Sequence, residues 1–239
     1  KGVTMREAQS LITNANYFGS MMVHLNDADG LIAGLTQHYP DTIRPALQII
    51  KVKENRHIVA GLYMMMLKRD IYFFADTTVN IEPTAEQLAE IALGAAEFAQ
   101  ELNIPPRIAM LSFSNFGSVK HPLTMKVNKA CEIVRRKNPE LIIDGEMQAD
   151  TAVLPEKLQT TFPFSRLQEK ANILIFPDLQ SGNIGYKLVQ RLGGADTIGP
   201  MLMGLQRPVH ILERGCTVDA IVKMTAIAVV EAQAIALKK

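Results

Sequence analysis

The sequence predicts an α/β fold of the doubly wound kind. Residues 64–67 and 71–74 are too continuously apolar for a solvated sheet face, and three further strand-like runs follow at 107–113, 141–144 and 172–176. Segments of helical period separate strand-like runs along the chain, and polar or glycine-bearing loops follow the strands. Strands alternating with helices, with loops at the strand carboxyl ends, describe a layered sheet that binds ligands at those loops.

The elements follow in order. Thr4 with Glu7 forms a capping box, and Ala8, Leu11, Ile12, Ala15, Phe18 and Met22 keep helical spacing, so one helix is expected from Thr4 to near His24. Residues 28–34 form a short apolar run bounded by glycine, a buried strand leading into a polar loop. Asp41 or Thr42 then caps a helix with Pro45 in its first turn, which turns free amides and the positive end of a helix dipole toward the loop. Residues 57–75 read as a hairpin turning at 68–70, with Met64, Met65 and Met66 as core filling. Thr84 and Gln87 make a second capping box for a helix running to about Leu102, where Pro105 and Pro106 stop the chain. A helix spans residues 122–137. Residues 155–170, with two prolines and scattered charges, read as a mobile surface excursion. The segment 218–237 is a long helix apolar nearly all round, which must be covered by other protein.

Composition bounds the function. The chain has 239 residues, 48% of them apolar and 21% charged, enough to bury a large core. Its 25 basic and 24 acidic residues leave a net charge of +1, which gives no reason to expect attraction to nucleic acid. Each apolar run is broken by a charge, glycine or proline before the ~18–20 residues that span a bilayer, and no signal-peptide pattern opens the chain, so a cytoplasmic protein is expected. Cys131 and Cys216 suit neither a disulfide framework nor a zinc site, and both read as packing residues. The five histidines show no metal-ligand spacing.

Four motifs carry more. Asp41-Thr-Ile-Arg-Pro45, Ser112-Phe-Ser-Asn-Phe-Gly-Ser118, Ser181-Gly-Asn-Ile-Gly-Tyr-Lys187 and Leu212-Glu-Arg-Gly-Cys-Thr-Val-Asp-Ala220 together resemble the phosphotransacetylases, enzymes that exchange an acyl group between coenzyme A and phosphate. Ser114-Asn-Phe-Gly-Ser118, Asp144-Gly-Glu-Met147 and Ala226-Ile-Ala-Val-Val-Glu-Ala-Gln233 look more like the C-terminal domain of bacterial NAD(P)-dependent malic enzymes, in which a phosphotransacetylase-like domain follows the malate-oxidising part. The resemblance spans nearly the whole chain, from Lys1 to Gln233. It implies two doubly wound α/β domains with a cleft between them, residues 1–54 with 201–239 and residues 55–200, the N-terminal part of the first being absent.

The resemblance also implies site residues. Arg44 and Arg214 match family arginines that face the coenzyme and phosphate, where a guanidinium fork grips phosphate oxygens bidentately. Thr42 belongs with them, and Asn183, Tyr186 and Lys187 fall on a loop and helix start that borders the family's cleft. Where the family has Ser-Arg-Gly-Cys and then an aspartate base, this chain has Glu213-Arg-Gly-Cys216 and then Ala220. A coenzyme thiol of pKa ~8.5 needs a base, whose loss costs roughly 10²–10⁴-fold. Asp219 is rotated about 100° from that position on a helix, and fits the first turn beside a Thr217 cap. Glu213 would repel a phosphate ~4 Å away by about 4 kcal/mol at an effective dielectric near 20.

These substitutions lead to the expectation of a regulatory domain that binds acetyl-CoA or another acyl-CoA, without transferase activity, with Thr42, Arg44, Asn183, Tyr186, Lys187, Glu213 and Arg214 as ligand contacts and no catalytic or metal-binding residue. NAD(P) and a divalent metal would belong only to the malic enzyme domain of the same polypeptide. A homo-oligomer is expected through the C-terminal helix. The alternatives are an active phosphate acetyltransferase, with Glu213 or Asp219 supplying the base from an altered position, and a dimerising scaffold with an empty cleft.

Overall fold

The computed structural model describes residues 2–237; Lys1, Lys238 and Lys239, at the outer limits of the expected first domain, lie outside the described residues. The chain divides into two compact units, residues 1–56 with 199–239, and residues 57–198.

The larger unit is built on most of a six-stranded mixed sheet. A hairpin of β2 (Ala60–Leu67) and β3 (Asp70–Ala75) turns at Lys68, whose φ of 57° places it in the left-handed region. The strands β4 (Arg107–Leu111), β5 (Ile142–Met147) and β6 (Ile173–Ile175) pair parallel, β6 lying between β4 and β3. The order is β5-β4-β6-β3-β2-β7, where β7 (Asp196–Met203) continues into the smaller unit.

Alternation along these strands sends successive side chains to opposite faces. Phe73 meets Phe98 of α4 (Ala85–Glu101) at 6.2 Å, and α4 packs against α5 (Pro122–Lys137). Its neighbour Phe74 joins a separate cluster with Tyr63, Leu111, Met147, Leu158 and Tyr186. Helices therefore cover both faces, which is why every central strand is apolar without interruption. Met64 and Met65 are buried, as expected of core filling.

Between β5 and β6 the expected mobile excursion is two short helices, α6 (Ala149–Val153) and α7 (Pro155–Thr161). Leu158 and Leu167 are fully buried and Ala171 donates its amide to Ala152 O at 2.8 Å, so the segment is tied into the core. Its period is hidden in the sequence because each helix is shorter than two turns.

In the smaller unit the single expected N-terminal helix is two, α1 (Met5–Leu11) and α2 (Ala15–His24). Thr4 and Glu7 form the expected capping box, but Asn14 starts a new helix by accepting the Asn16 amide at 2.9 Å. The strand β1 (Leu31–Ala33) pairs parallel with β8 (Val209–Ile211), one residue for one, in a two-stranded sheet. Doubly wound therefore describes the larger unit. Neither β7 nor β8 is evident in the sequence, because Gly199, Pro200, Gly204 and Pro208 interrupt the apolar pattern.

The final helix, α9 (Val218–Leu237), has the length and, at 1.7, the mean hydropathy of a helix able to cross a bilayer, although the charges expected to break its apolar run are present. Its buried residues are Met224, Ile227 and Ala228, while Val218, Val222, Val229 and Leu237 are exposed. Asp219, Lys223 and Glu231 interrupt the apolar run.

Candidate functional site

In the smaller unit, the carboxyl ends of β1 and β8 lie side by side, held by the Leu212 amide donating to Ala33 O at 2.7 Å. Gly34 turns there with φ of 106°, and a Cβ on it would stand 2.7 Å from Ile211 Cγ2, so no larger residue fits. The loops 34–38 and 212–217 thus leave adjacent parallel strands, where an α/β fold holds ligands.

The first loop enters α3 (Tyr39–Ile49), whose N-cap is His38, not Asp41 or Thr42. This shift matters for Arg44, which becomes the sixth helical residue and sits in the second turn, where the dipole acts weakly. Thr42 is buried, and its hydroxyl donates to His38 O at 3.3 Å, closing the helix start and leaving little for a ligand. Pro45 lies inside α3 and has no N–H for Asp41 O. The buried Asn16 of α2 supplies the missing donor, its Nδ2 lying 3.3 Å from Asp41 O while also bonding Gln37 Oε1. Arg44 lines a polar recess of about 400 Å³ with Asn16, Thr36, Gln37, His38 and Asp41.

The second loop carries Glu213 and Arg214, both exposed, around a tight turn in which the Cys216 amide donates to Glu213 O at 3.2 Å and Gly215 has φ of 73°. Thr217 caps α9, its Oγ1 accepting the Ala220 amide at 3.2 Å. Asp219 is exposed and paired with Lys223 at 2.7 Å, one helical turn on. That contact directs its carboxylate along the helix.

In the larger unit, Asn183, Tyr186 and Lys187 lie well inside α8 (Leu179–Gly193), not at a loop and helix start. The glycines that suggested a loop are points of close approach: a Cβ on Gly182 would stand 2.2 Å from Asp76 O. Asn183 Nδ2 donates to Thr77 O at 3.1 Å, tying α8 to a turn organised by the buried Asp76 carboxylate, which accepts the amides of Gly61, Thr78, Val79 and Asn80. Tyr186 is buried and stacks on Tyr63 at 4.1 Å, which makes it core. Lys187 is exposed, its Nζ 5.0 Å from the Tyr186 ring. Of the residues expected at a ligand, Arg44, Lys187, Glu213 and Arg214 keep accessible side chains.

Sequence reasoning gave no role to Glu146, although it falls in the quoted Asp-Gly-Glu motif. Its buried carboxylate accepts the Gly117 amide at 2.6 Å, Ser114 Oγ at 3.1 Å and Asn128 Nδ2 at 3.3 Å, and so organises the loop 112–118. It lines a recess of about 520 Å³ with Lys120, Lys126 and Asn128. Asp144, two residues earlier, is likewise buried, pairing with Arg135 and accepting Ser165 Oγ at 2.8 Å. Burial pushes the nearby Cys131 thiol up to about 12, so it stays protonated.

Comparison with known proteins bears on this arrangement. The phosphate acetyl/butaryl transferase family model matches residues 1–229. The phosphate acetyltransferase of Bacillus subtilis is 43% identical over 229 residues, covering 96% of this chain and 71% of that protein. That of Nitratidesulfovibrio vulgaris is 44% identical over 234 residues, 98% of this chain but 33% of the longer relative. A phosphotransacetylase structure from Streptococcus pyogenes superposes with a TM-score of 0.93 at 46% identity, covering 97% of this chain and 71% of that one.

These likenesses overturn the expectation of a malic enzyme's regulatory domain without transferase activity, because the relatives at 42–46% identity over nearly the whole chain are phosphate acetyltransferases. The oxidoreductase role, the NAD(P) and metal of a parent enzyme, allosteric regulation and the malic enzyme partner fall with it. Changes at positions 213 and 220 are not enough to exclude acyl transfer. A missing base costs about 10²–10⁴-fold. Enzymes accelerate reactions by about 10⁶-fold or more, so positioning and charge stabilisation survive its loss.

Proposed function

Because the chain belongs to the phosphate acetyl/butaryl transferase family, we propose that it is an active phosphate acetyltransferase, interconverting acetyl-CoA and phosphate with acetyl phosphate and CoA. The observation that carries this reading is identity of 42–44% to phosphate acetyltransferases across 96–98% of the chain. The coenzyme is here a substrate, and no redox step or metal is invoked. Its intracellular chemistry supports a cytoplasmic setting.

In the direction of acetyl-CoA synthesis, the coenzyme thiol gives its proton to a base and the sulfur attacks the carbonyl of acetyl phosphate. The C–O bond to phosphate then breaks, and phosphate leaves with the electron pair. Arg44 and Arg214 take the role of anion binders, each able to offer paired N–H donors to phosphate oxygens and to charge developing on the leaving group. Lys187 takes a phosphate of the nucleotide. Glu213, next to Arg214 on the 212–217 loop, takes the role of base, whereas the Asp219 carboxylate lies along α9 against Lys223. Thr42, Asn183 and Tyr186 shape the helices that carry these groups. The exposed apolar residues of α9, Val222 and Val229 among them, support association with a second copy.

The test is to incubate the purified chain with acetyl phosphate and CoA and follow thioester formation, and to run the phosphate-dependent reverse reaction. Turnover is expected in both directions. Glu213→Gln should lower kcat by roughly 10²-fold or more, as loss of a base does, with Asp219→Asn near wild type. Absence of phosphate-dependent thioester cleavage would overturn the assignment.

A further inference from the structure

One buried ionisable pair in the smaller unit has no part in the chemistry above. His210, the middle residue of β8, is fully buried, and its Nδ1 accepts the Leu202 amide at 3.3 Å. An imidazole nitrogen that accepts a hydrogen bond carries no proton, so the ring hydrogen sits on Nε2. That nitrogen lies 2.6 Å from Glu231 Oε2 on α9, whose side chain is 15% exposed. The contact is off the axis of an ideal hydrogen bond, and neither atom has another partner among the described residues. At that separation, and with no alternative, the two groups depend on each other.

The pair joins three elements: β7 through Leu202, β8 through His210, and α9 through Glu231. The loop 212–217 runs between β8 and α9. One end is fixed by the Leu212 amide on Ala33 O and the other by the Thr217 cap. A six-residue loop keeps one shape only when both anchors hold still, and the second anchor moves with α9. Arg214 is exposed on this loop, outside any helix or strand, so its aim depends on those anchors.

We propose that His210 and Glu231 are positioning residues, a buried clamp that fixes α9 against β8 and thereby sets the conformation of the 212–217 loop and the aim of Arg214. The clamp acts on loop order whatever the loop binds; only the kinetic arm of its test rests on the transferase reading.

The primary readout is hydrogen exchange of amides 212–217 in the full chain. Glu231→Ala and His210→Asn remove one partner each, and exchange there should quicken by at least about tenfold, as leaving a buried polar group without its partner does. Glu231→Gln keeps the side chain's length and an acceptor oxygen and should restore most of the protection. In the acetyltransferase assay, Glu231→Ala should raise the KM for phosphate and lower kcat, each by at least about tenfold, because the 212–217 loop carries both Arg214 and Glu213, and Glu231→Gln should restore most of both. Unchanged exchange at 212–217 in a folded Glu231→Ala protein overturns the proposal, as does faster exchange spread evenly over residues 1–56 and 199–237. If His210→Asn fails to fold, the Glu231 pair of variants decides alone. Quickened exchange without transferase turnover in the wild type would leave the clamp standing and remove the assigned reaction.

Discussion

Asn16 shows what a single side chain contributes that no motif announces. A proline inside a helix strips one carbonyl of its donor, and a buried carbonyl left alone costs about 1–3 kcal/mol. Asn16 meets that need for Asp41 O from a different helix. Replacing it with Leu should therefore destabilise the smaller unit by about that amount, read as a lower urea midpoint with an unchanged slope. The proline was legible in the sequence, but its partner lies 25 residues from Asp41 and the pairing exists only after folding. The two cysteines separate by environment in the same way. Cys131 is buried with its thiol held up to about 12 and Cys216 is half-buried in a loop. A maleimide at neutral pH should label one thiol per native chain, at Cys216, and two after denaturation; native labelling of Cys131 would contradict its environment.

At the scale of elements, local signals were legible where they were chemically explicit. Both capping boxes, at Thr4 and Thr84, formed as their spacing predicted. Replacing Thr84 with Ala should cost about 1 kcal/mol, seen as a lower thermal midpoint. Signals failed where one residue type serves two purposes. Gly182 and Gly185 read as loop residues, yet they let α8 approach Asp76 O and the Phe176 ring within a helix. The 155–170 segment read as mobile because its order comes from contacts distant in sequence, such as Ala171 on Ala152 O and the Lys157–Asp150 pair at 2.5 Å. Lys157 holds the Asp150 carboxyl below its ordinary value of 3.8. A carboxyl lowered by folding stabilises the native state above its unfolded pKa, and that support fades as pH falls through the lower folded value. An NMR titration should show the Asp150 carboxyl titrating below 3.8, returning toward it in Lys157→Met.

Over the whole molecule, the alternation of strands and helices announced the sheet of the larger unit, since fully buried strands must be apolar throughout. The smaller unit was harder to read because its strands are three residues each and their pairing joins opposite ends of the chain. Of the candidate site, Arg44 and Arg214 are singled out by motif, whereas the roles of Thr42 and Tyr186 in packing emerge only from burial. Protection should follow the same division. Amides in residues 73–75 and 108–110, in strands flanked on both sides within a six-stranded sheet, should exchange at least about tenfold more slowly than those of 31–33, which have one neighbouring strand among the described residues.

The smaller unit's discontinuity in sequence carries a consequence for biosynthesis. On the ribosome, residues 57–198 emerge before any of 199–239, so the larger unit can condense while β1 still lacks its partner β8. Until residues 209–211 emerge, Leu31, Ile32 and Ala33 present an unsatisfied strand to the crowded cell. The nascent chain should accordingly engage holding chaperones through residues 31–33, and shed them once residues 209–211 have emerged.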